Sequence, residues 1–338
     1  MKDQTTSRKK PEEAARGDRP RARVSPLALP KGGAMNRIVV LMAVVGFAGA
    51  APAGEAPVPD RDLVLWLDAS NRAAVQTEAD GRVSRWADAS GRGNHAVQPD
   101  PASRPLLVPN VLAGKPVVRF DGKRLLNLGR SESLAFRPGV PFSLVAVAKV
   151  AGGTSGTFLA KGGGDVDQRC YHFYFAPGRI GAVVYGRRAE AKAAPGVWIA
   201  VLVCDGRRAE ILVNGQSVLN LDAGRGVSSV DVLLGARRES ADNQGTYWGL
   251  VGDLAEVLVY RRALDRKELD RLSAALRTKY GLPTPAAPVD AAARIAAMKT
   301  PAEFAVLPEL AGELAQRDDT AAMLRSLAKR QPTDAASQ

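Results

Sequence analysis

Between Arg61 and Tyr260 the apolar residues come in short runs separated by turn-forming pairs. LVLWLDA (63–69), PVVRF (116–120), PFSLVAVAKV (141–150), YHFYFA (171–176), VWIAVLVC (197–204) and VDVLLGA (230–236) have the length and the β-branched and aromatic content of strands. Asp121-Gly122, Asp205-Gly206 and Asn214-Gly215 each sit between two such runs, and Pro177-Gly178 splits YHFYFA from RIGAVVY. Asp-Gly and Asn-Gly accept positive φ and match the twist of a hairpin. PVVRF with KRLLNL (123–128) therefore reads as a hairpin, and 170–176, 179–185 and 198–204 read as an antiparallel meander. About a dozen strands and almost no helix before Leu264 predict an all-β, two-sheet antiparallel sandwich.

The pattern changes once, sharply. LAEVLVY (254–260) is apolar at most positions, as a central strand would be, and a helix start follows. Asp265 with Glu268 three residues later forms a capping box, Leu264 and Leu269 fit the hydrophobic staple around it, and Leu269, Leu272, Leu276 and Tyr280 recur on one helical face. Gly281 and Pro283 end the helix. Such a stripe must dock, and the neighbouring sheet is the nearest surface, so 265–280 is expected to latch onto the sandwich. Beyond Leu282, PTPAAPVDAAA reads as a linker, and 290–330 is Ala-rich with enough apolar anchors for two or three short helices but too few for a core. Residues 283–338 are thus a Pro/Ala linker and an Ala-rich helical tail.

Charge refines the N-terminus. Of the formal net charge of +12, residues 1–34 carry nine Lys/Arg against four Asp/Glu, while from Ala51 onward the ratio is 37 to 31. No concentrated basic stripe or nucleic-acid motif accompanies that mild excess, so no nucleic-acid partner is expected. After Met35, a short positive region at Arg37, an apolar stretch from Ile38 to Phe47 and small residues through Ala53 form the pattern of a secretory signal peptide, too short for a comfortable membrane span. Met35 is accordingly the expected start of translation, 1–34 a disordered basic segment left by an upstream start choice (the competing reading is a disordered basic arm before a membrane anchor), and the product secreted, periplasmic or attached to the cell surface, with no stable membrane span after cleavage. Cys170 and Cys204 are the only cysteines. The expected meander puts them at opposite ends of the strands, about 20 Å apart, so two buried thiols are expected rather than a disulfide.

The order of several motifs resembles a family. LVLWLDAS, the loop VSRWADASGRGNHA, VVRFDG, the paired strands VWIAVLVCDGRRAEILVNGQSV and above all GDLAEVLVYRRALDRKELDRLSAALRTKYGL are similar to bacterial LamG-like domains of the concanavalin A-like (laminin G/pentraxin) jelly-roll class. The likeness spans 61–282. It implies a jelly roll that binds glycans or proteins, often with calcium at a rim, and no required cofactor.

Three kinds of chemistry have candidate residues in the chain. Jelly-roll glucanases, a related group, set their acids at even spacing on one strand, because side chains alternate between faces. Asp253 and Glu256 are three apart, so in a regular strand they face opposite ways, and Glu256 reads as a structural carboxylate. Asp68 and Asp88, each two residues after a Trp, read as Asx turns. No catalytic residue is therefore expected. Exposed aromatics beside polar donors are what a sugar-binding surface needs, and this makes candidates of His172 and Tyr174, alternating on one strand, with Asp242, Asn243, Gln244, Tyr247 and Trp248 in the loop ESADNQGTYWG; the equal alternatives are that His172 and Tyr174 simply fill the sandwich and that Trp248 begins the next strand and packs. Calcium needs six to eight oxygens, for which Asp165, Asp167, Asp242 and Asn243 are the candidates. The expectation is a non-catalytic module for a polysaccharide, a glycoprotein or a cell-surface protein. The rival readings are a glycoside hydrolase or lyase of the same class, and an assembly protein that docks through its tail.

Overall fold

The computed structural model describes residues 58–284. The basic 1–34 segment, the signal-like stretch at 35–53 and the Ala-rich tail lie outside the described residues. Among the described residues, no helix is long and apolar enough to cross a membrane.

In chain order the strands are β1 (Leu63–Asp68), β2 (Val75–Thr77), β3 (Val83–Trp86), β4 (Ala96–Val97), β5 (Leu106–Leu112), β6 (Lys115–Asp121), β7 (Leu126–Gly129), β8 (Phe142–Val150), β9 (Gly156–Gly162) and β10 (Arg169–Ala176). They continue with β11 (Arg179–Val184), β12 (Arg187–Lys192), β13 (Gly196–Cys204), β14 (Arg208–Val213), β15 (Gln216–Asp222), β16 (Val232–Leu234), β17 (Arg237–Arg238), β18 (Thr246–Tyr247) and β19 (Val251–Tyr260), and the helix α1 (Arg266–Tyr280) follows. One sheet, here sheet A, runs β15-β14-β13-β8-β19-β6-β5, with β1 also paired to β19. Sheet B runs β12-β11-β10-β9-β16-β7-β4-β3-β2, and β17-β18 form a small ribbon. The pairings are antiparallel throughout. The all-β antiparallel sandwich with a single helix at the end of the described chain is thus what the strand pattern predicts.

Two apolar clusters explain why the central strands are apolar on both faces. On β8, Phe142, Leu144, Ala146, Ala148 and Val150 enter the core between the sheets, while Val145 and Val147 join a second cluster on the outer face of sheet A. α1 completes that second cluster with Leu269, Leu272, Leu276 and Tyr280, which pack with Ile199, Val201, Leu258 and Tyr260. The cap is the expected one: Asp265 accepts from the Glu268 amide at 2.9 Å, Glu268 accepts from the Asp265 amide at 3.0 Å, and Gly281 closes the helix at φ 62°. Arg262 clamps Glu268 with two hydrogen bonds of 2.6 Å, fixing the approach of the helix to β19.

Two local expectations fail for one reason, which is that strand edges already have partners. Asp121-Gly122 does not close a hairpin: β6 is flanked by β5 and β19, so the chain leaves the turn for sheet B as β7. The expected meander is also broken. β12 takes the edge beside β11, and β13 pairs with β8 in sheet A. Cys170 and Cys204 therefore come from opposite sheets and both enter the inter-sheet core as free, buried thiols. Cys170 donates to the Phe136 carbonyl at 2.6 Å, and burial pushes its thiol up to about 12. The other turns behave as read, with Pro177-Gly178, Asp205-Gly206 and Asn214-Gly215 each joining paired strands.

Leu272 is 1% exposed at the centre of the helix contact. Leu272→Asp is expected to destabilise the domain by about 4 kcal/mol, through the lost packing and the buried charge. Thermal unfolding followed by circular dichroism checks this: the midpoint should fall by about 10 °C, and an unchanged midpoint would remove the latch role from α1.

Candidate functional site

Two carboxylates on β19, Asp253 and Glu256, bear on the enzymatic reading. Pairing of β19 with β8 shifts between Leu254 and Glu256, leaving Ala255 as a bulge. A bulge adds one residue and so changes the parity of side-chain direction. The expectation that Asp253 and Glu256 face opposite ways is therefore wrong, and both project from the outer face of sheet A. Neither is open there. Asp253, 4% exposed, receives a two-pronged ion pair from Arg119, at 2.7 and 2.9 Å. Glu256 is fully buried and accepts from Trp66 Nε1 at 2.7 Å, Lys279 Nζ at 2.6 Å and the Tyr280 hydroxyl at 2.8 Å. Lys279 also reaches Asp68 at 2.7 Å. Burial raises the Glu256 pKa despite the lysine. These groups fasten α1 to β1 and β19. A glycosidase needs its carboxylates on either side of a scissile bond, and the contacts here leave no room for one.

The Asx readings of Asp68 and Asp88 hold. Asp68 accepts from the amide and hydroxyl of Ser70, and Asp88 accepts from the amides of Trp66, Ser90 and Asn94. Asp88 thereby ties the Gly/Asn loop to the first strand.

The calcium candidates lie in two neighbouring loops joined by the Gly164 amide, which donates to the Glu239 carbonyl at 2.8 Å. Their side chains do not converge. Asp165 and Asp167 are exposed on a short 3-10 turn, and Asp242 accepts from the Ser240 hydroxyl and the Gln244 amide within its own turn. Asn243 is turned inward, accepting from the Asp231 amide at 2.8 Å and donating to its carboxylate at 3.0 Å. Among the described residues, no group of three or more His, Cys, Asp or Glu is arranged to hold a metal. Gln244 is exposed, and its backbone closes the same turn.

The aromatic candidates do converge, on the outer face of sheet B. On β10 the alternation sends Tyr171, Phe173 and Phe175 into the inter-sheet core and His172 and Tyr174 outward. Outward is not exposed: His172 is 2% and Tyr174 1% accessible, which corrects the expectation that these two rings present themselves to a sugar. The cause is Trp248, which follows the β17-β18 ribbon at φ 56°. A bulky residue in the left-handed region is an outlier whose local cost must be offset by its surroundings. Here the indole folds edge-on against Tyr174, with centroids 4.9 Å apart, and against His172 at 5.8 Å, while His172 and Tyr174 stack at 4.5 Å. The Trp248 carbonyl accepts from the Thr157 hydroxyl at 2.9 Å, and that hydroxyl also lies 2.9 Å from His172 Nε2. A hydroxyl has one proton, already given to the carbonyl, so Nε2 donates to Thr157 and Nδ1 is a bare acceptor. Nδ1 is buried without a partner. Burial, followed by the charges of Arg237, Arg169 and Arg188, holds the His172 pKa well below its usual value and keeps the ring neutral.

What remains accessible is Tyr247, 51% exposed, and the half-buried Trp248. Arg237 lies over the Tyr247 ring at 4.8 Å, and Arg188 lies 5.5 Å from the Tyr174 ring and 5.7 Å from the Trp248 ring. Arg188 also donates to the Tyr174 hydroxyl at 2.8 Å and pairs with Glu190 at 2.5 Å. Beside the ribbon is a cleft of about 220 Å³ lined by Lys123, Arg124, Ala236, Thr246, Tyr247 and Trp248 among others. Thr157 and the arginines at 169, 188 and 237 were not singled out from the sequence. They lie on four different strands, and only the sheet order brings them together.

No family model matches the chain, and no curated protein matches it. Solved structures do. The binding domain of Paraclostridial mosquitocidal protein 1 is similar at 13% identity, with a TM-score of 0.45, over 64% of this chain and 52% of its own. The CBM40 module of the Ruminococcus gnavus IT-sialidase, bound to α2,3-sialyllactose, is similar at 18% identity and TM-score 0.38, over 47% of this chain and 95% of its own. A Trypanosoma rangeli sialidase in complex with sialic acid is similar at 15% identity and TM-score 0.46, over 66% of this chain and 34% of its own. The chain thus spans about half the length of the mosquitocidal binding domain and about a third of the sialidase.

Replacing Lys279 by Met tests the carboxylate network. The buried Glu256 and the partly buried Asp68 would lose their shared cation, and stability at pH 7 should fall by about 3 kcal/mol. Glu256 already has a raised pKa. Without Lys279 its pKa rises further, so the folded state takes up a proton as pH falls, and the deficit should shrink between pH 7 and pH 5. Urea unfolding at the two pH values reads this, and a deficit that is equal at both would exclude Glu256 as the titrating group.

Proposed function

We propose that residues 61–282 form an exported, non-catalytic module that binds carbohydrate through the outer face of sheet B, with Tyr247 and Trp248 as the stacking surface. The observation that carries this reading is the conformation of Trp248. A left-handed tryptophan held by Thr157, His172 and Tyr174 is a costly way to fill space. It does keep a rigid indole and a neighbouring exposed tyrosine beside charged donors. Aromatic faces with a few placed polar groups suit a sugar ring, whose axial hydrogens pack on the ring while its hydroxyls take the donors. The non-catalytic part is supported by Asp253 and Glu256, both engaged by cations on the opposite face. Export is supported by the apolar stretch that follows Met35. The resemblance of 61–282 to LamG-like domains points the same way.

A glycan array probed with the full-length chain tests the reading, with product analysis on soluble polysaccharides in parallel. Retention without released oligosaccharides is expected. Tyr247→Ala should weaken retention about tenfold, equivalent to about 1.4 kcal/mol, with little change in melting temperature because the ring is half exposed. Trp248→Ala should weaken it at least as much and also lower stability. Retention that both variants leave intact would overturn the assignment of the surface, and release of oligosaccharides would overturn the non-catalytic reading.

A further inference from the structure

Two arginines beside this surface lack a carboxylate partner. Several arginines drawn into the fold elsewhere meet one: Arg119 with Asp253, Arg262 with Glu268, Arg238 with Asp231 and Arg104 with Glu78, all at 2.6–2.9 Å, although Arg277 on α1 ends on the Asn214 carbonyl. Arg237 and Arg169 have no such partner. Arg237 is 8% exposed, and its guanidinium donates to one backbone carbonyl, that of Arg238, at 2.7 Å. Arg169 is half-buried, donates to the Gly164 carbonyl at 2.7 Å, and leaves its Nε buried with no acceptor. Glu239 and Asp165 are close enough to bear on these charges, but neither forms an ion pair with them. Glu190 is taken by Arg188 and Arg179.

Like charges therefore gather here, and of Arg169, Arg188 and Arg237 only Arg188 has an ion-pair partner. Arg169 and Arg188 both disfavour the charged form of Arg237, and after burial they help lower its pKa to about 10. Arg188 acts on Arg169 in the same sense. The neutral His172 beside them supplies no negative charge. A fold gains nothing from crowding guanidiniums without a counter-charge, since burying an unpaired charge is costly. An anion arriving from solution would meet donors already in place, and guanidinium forks match the planar geometry of carboxylate and sulfate oxygens.

We infer that Arg237 and Arg169 hold an anionic group of the ligand, a sugar carboxylate or sulfate, next to the Tyr247–Trp248 surface. The inference rests on the carbohydrate reading above and narrows it to acidic saccharides. The aromatic surface holds the ring and the guanidiniums hold its charge.

The test uses the full-length chain on four immobilised polysaccharides: polygalacturonate, its fully methyl-esterified form, heparin and neutral dextran. Retention is expected on polygalacturonate or heparin and not on the ester or dextran. Polygalacturonate alone assigns a carboxylate; heparin alone assigns a sulfate. Arg237→Met and Arg169→Gln should each weaken that retention by at least about tenfold. Both variants should melt close to the parent, because each loses one hydrogen bond to a backbone carbonyl but no ion pair, and sheds an unpaired buried charge; a purely structural arginine would melt well below it. Arg187→Gln, at an exposed edge position on β12, is the control for unspecific charge attraction. The inference fails if retention is equal on the acid and its ester, if both variants keep acidic retention, or if the control loses as much as they do. Retention on dextran alone would overturn it and leave the carbohydrate reading standing, whereas retention on none of the matrices of this or the array experiment would overturn both.

Discussion

A carboxylate with no exposed surface, at the centre of a sheet, constrains the rest of this domain. Glu256 can be buried only if its oxygens are satisfied, and they are, by Trp66 on β1 and by Lys279 and Tyr280 on the last turn of α1. Residues from both ends of the described chain therefore meet at one point. The Ala255 bulge makes the meeting possible, because it turns Glu256 to the face where the helix lies. Once that turn is fixed over β1 and β19, the rest of α1 follows across the sheet. Arg266 and Arg277 then donate to the carbonyls of Gly215 and Asn214 in the β14–β15 hairpin.

Covering sheet A in this way decides where a ligand can go. A sandwich has two outer faces, and the helix occupies the middle of one with an apolar stripe and satisfied ion pairs. The outer face of sheet B has no helix among the described residues. In place of one it has the β17-β18 ribbon, which lays Trp248 over His172 and Tyr174 and leaves Tyr247 outside. On sheet A, Arg119 and Lys279 end on carboxylates, while on sheet B Arg169 and Arg237 end on backbone carbonyls.

The features legible in the sequence were those whose cause is local. Asp265, Glu268 and Gly281 define the helix because a cap is satisfied within a few residues, and Asn214-Gly215 defines a hairpin because positive φ is a property of the pair, observed here at 53° and 84°. The runs on β8 and β19 are apolar on both faces because each strand has a core on either side. What failed depended on partners distant in sequence. Asp121-Gly122 looks like any hairpin turn, and only the occupation of both edges of β6 sends the chain to the other sheet. The bulge at Ala255 has no signature of its own, so counting spacing between Asp253 and Glu256 gave the wrong parity. Alternation on β10 separated His172 and Tyr174 from the core-facing rings correctly, but nothing in the strand foretold that Trp248 would cover them.

Departures from local consistency are concentrated accordingly. Near sheet A's latch the carboxylates of Asp253, Glu256 and Glu268 are paired and the helix is capped, although the Tyr260 hydroxyl and Arg277 Nε are buried without partners. Around the ribbon, by contrast, Asn243 and Trp248 have left-handed backbones, and His172 Nδ1, Arg169 Nε and Arg238 Nε are buried without partners. Arg124, which lines the cleft beside Trp248, has a buried Nε in the same condition. Folded chains tolerate such violations where something other than stability maintains them. A sandwich latched by a packed helix on one outer face has stability to spare for the other. That division, with a latch on one side and unpaired donors beside aromatic rings on the other, is the physical basis for assigning recognition to sheet B.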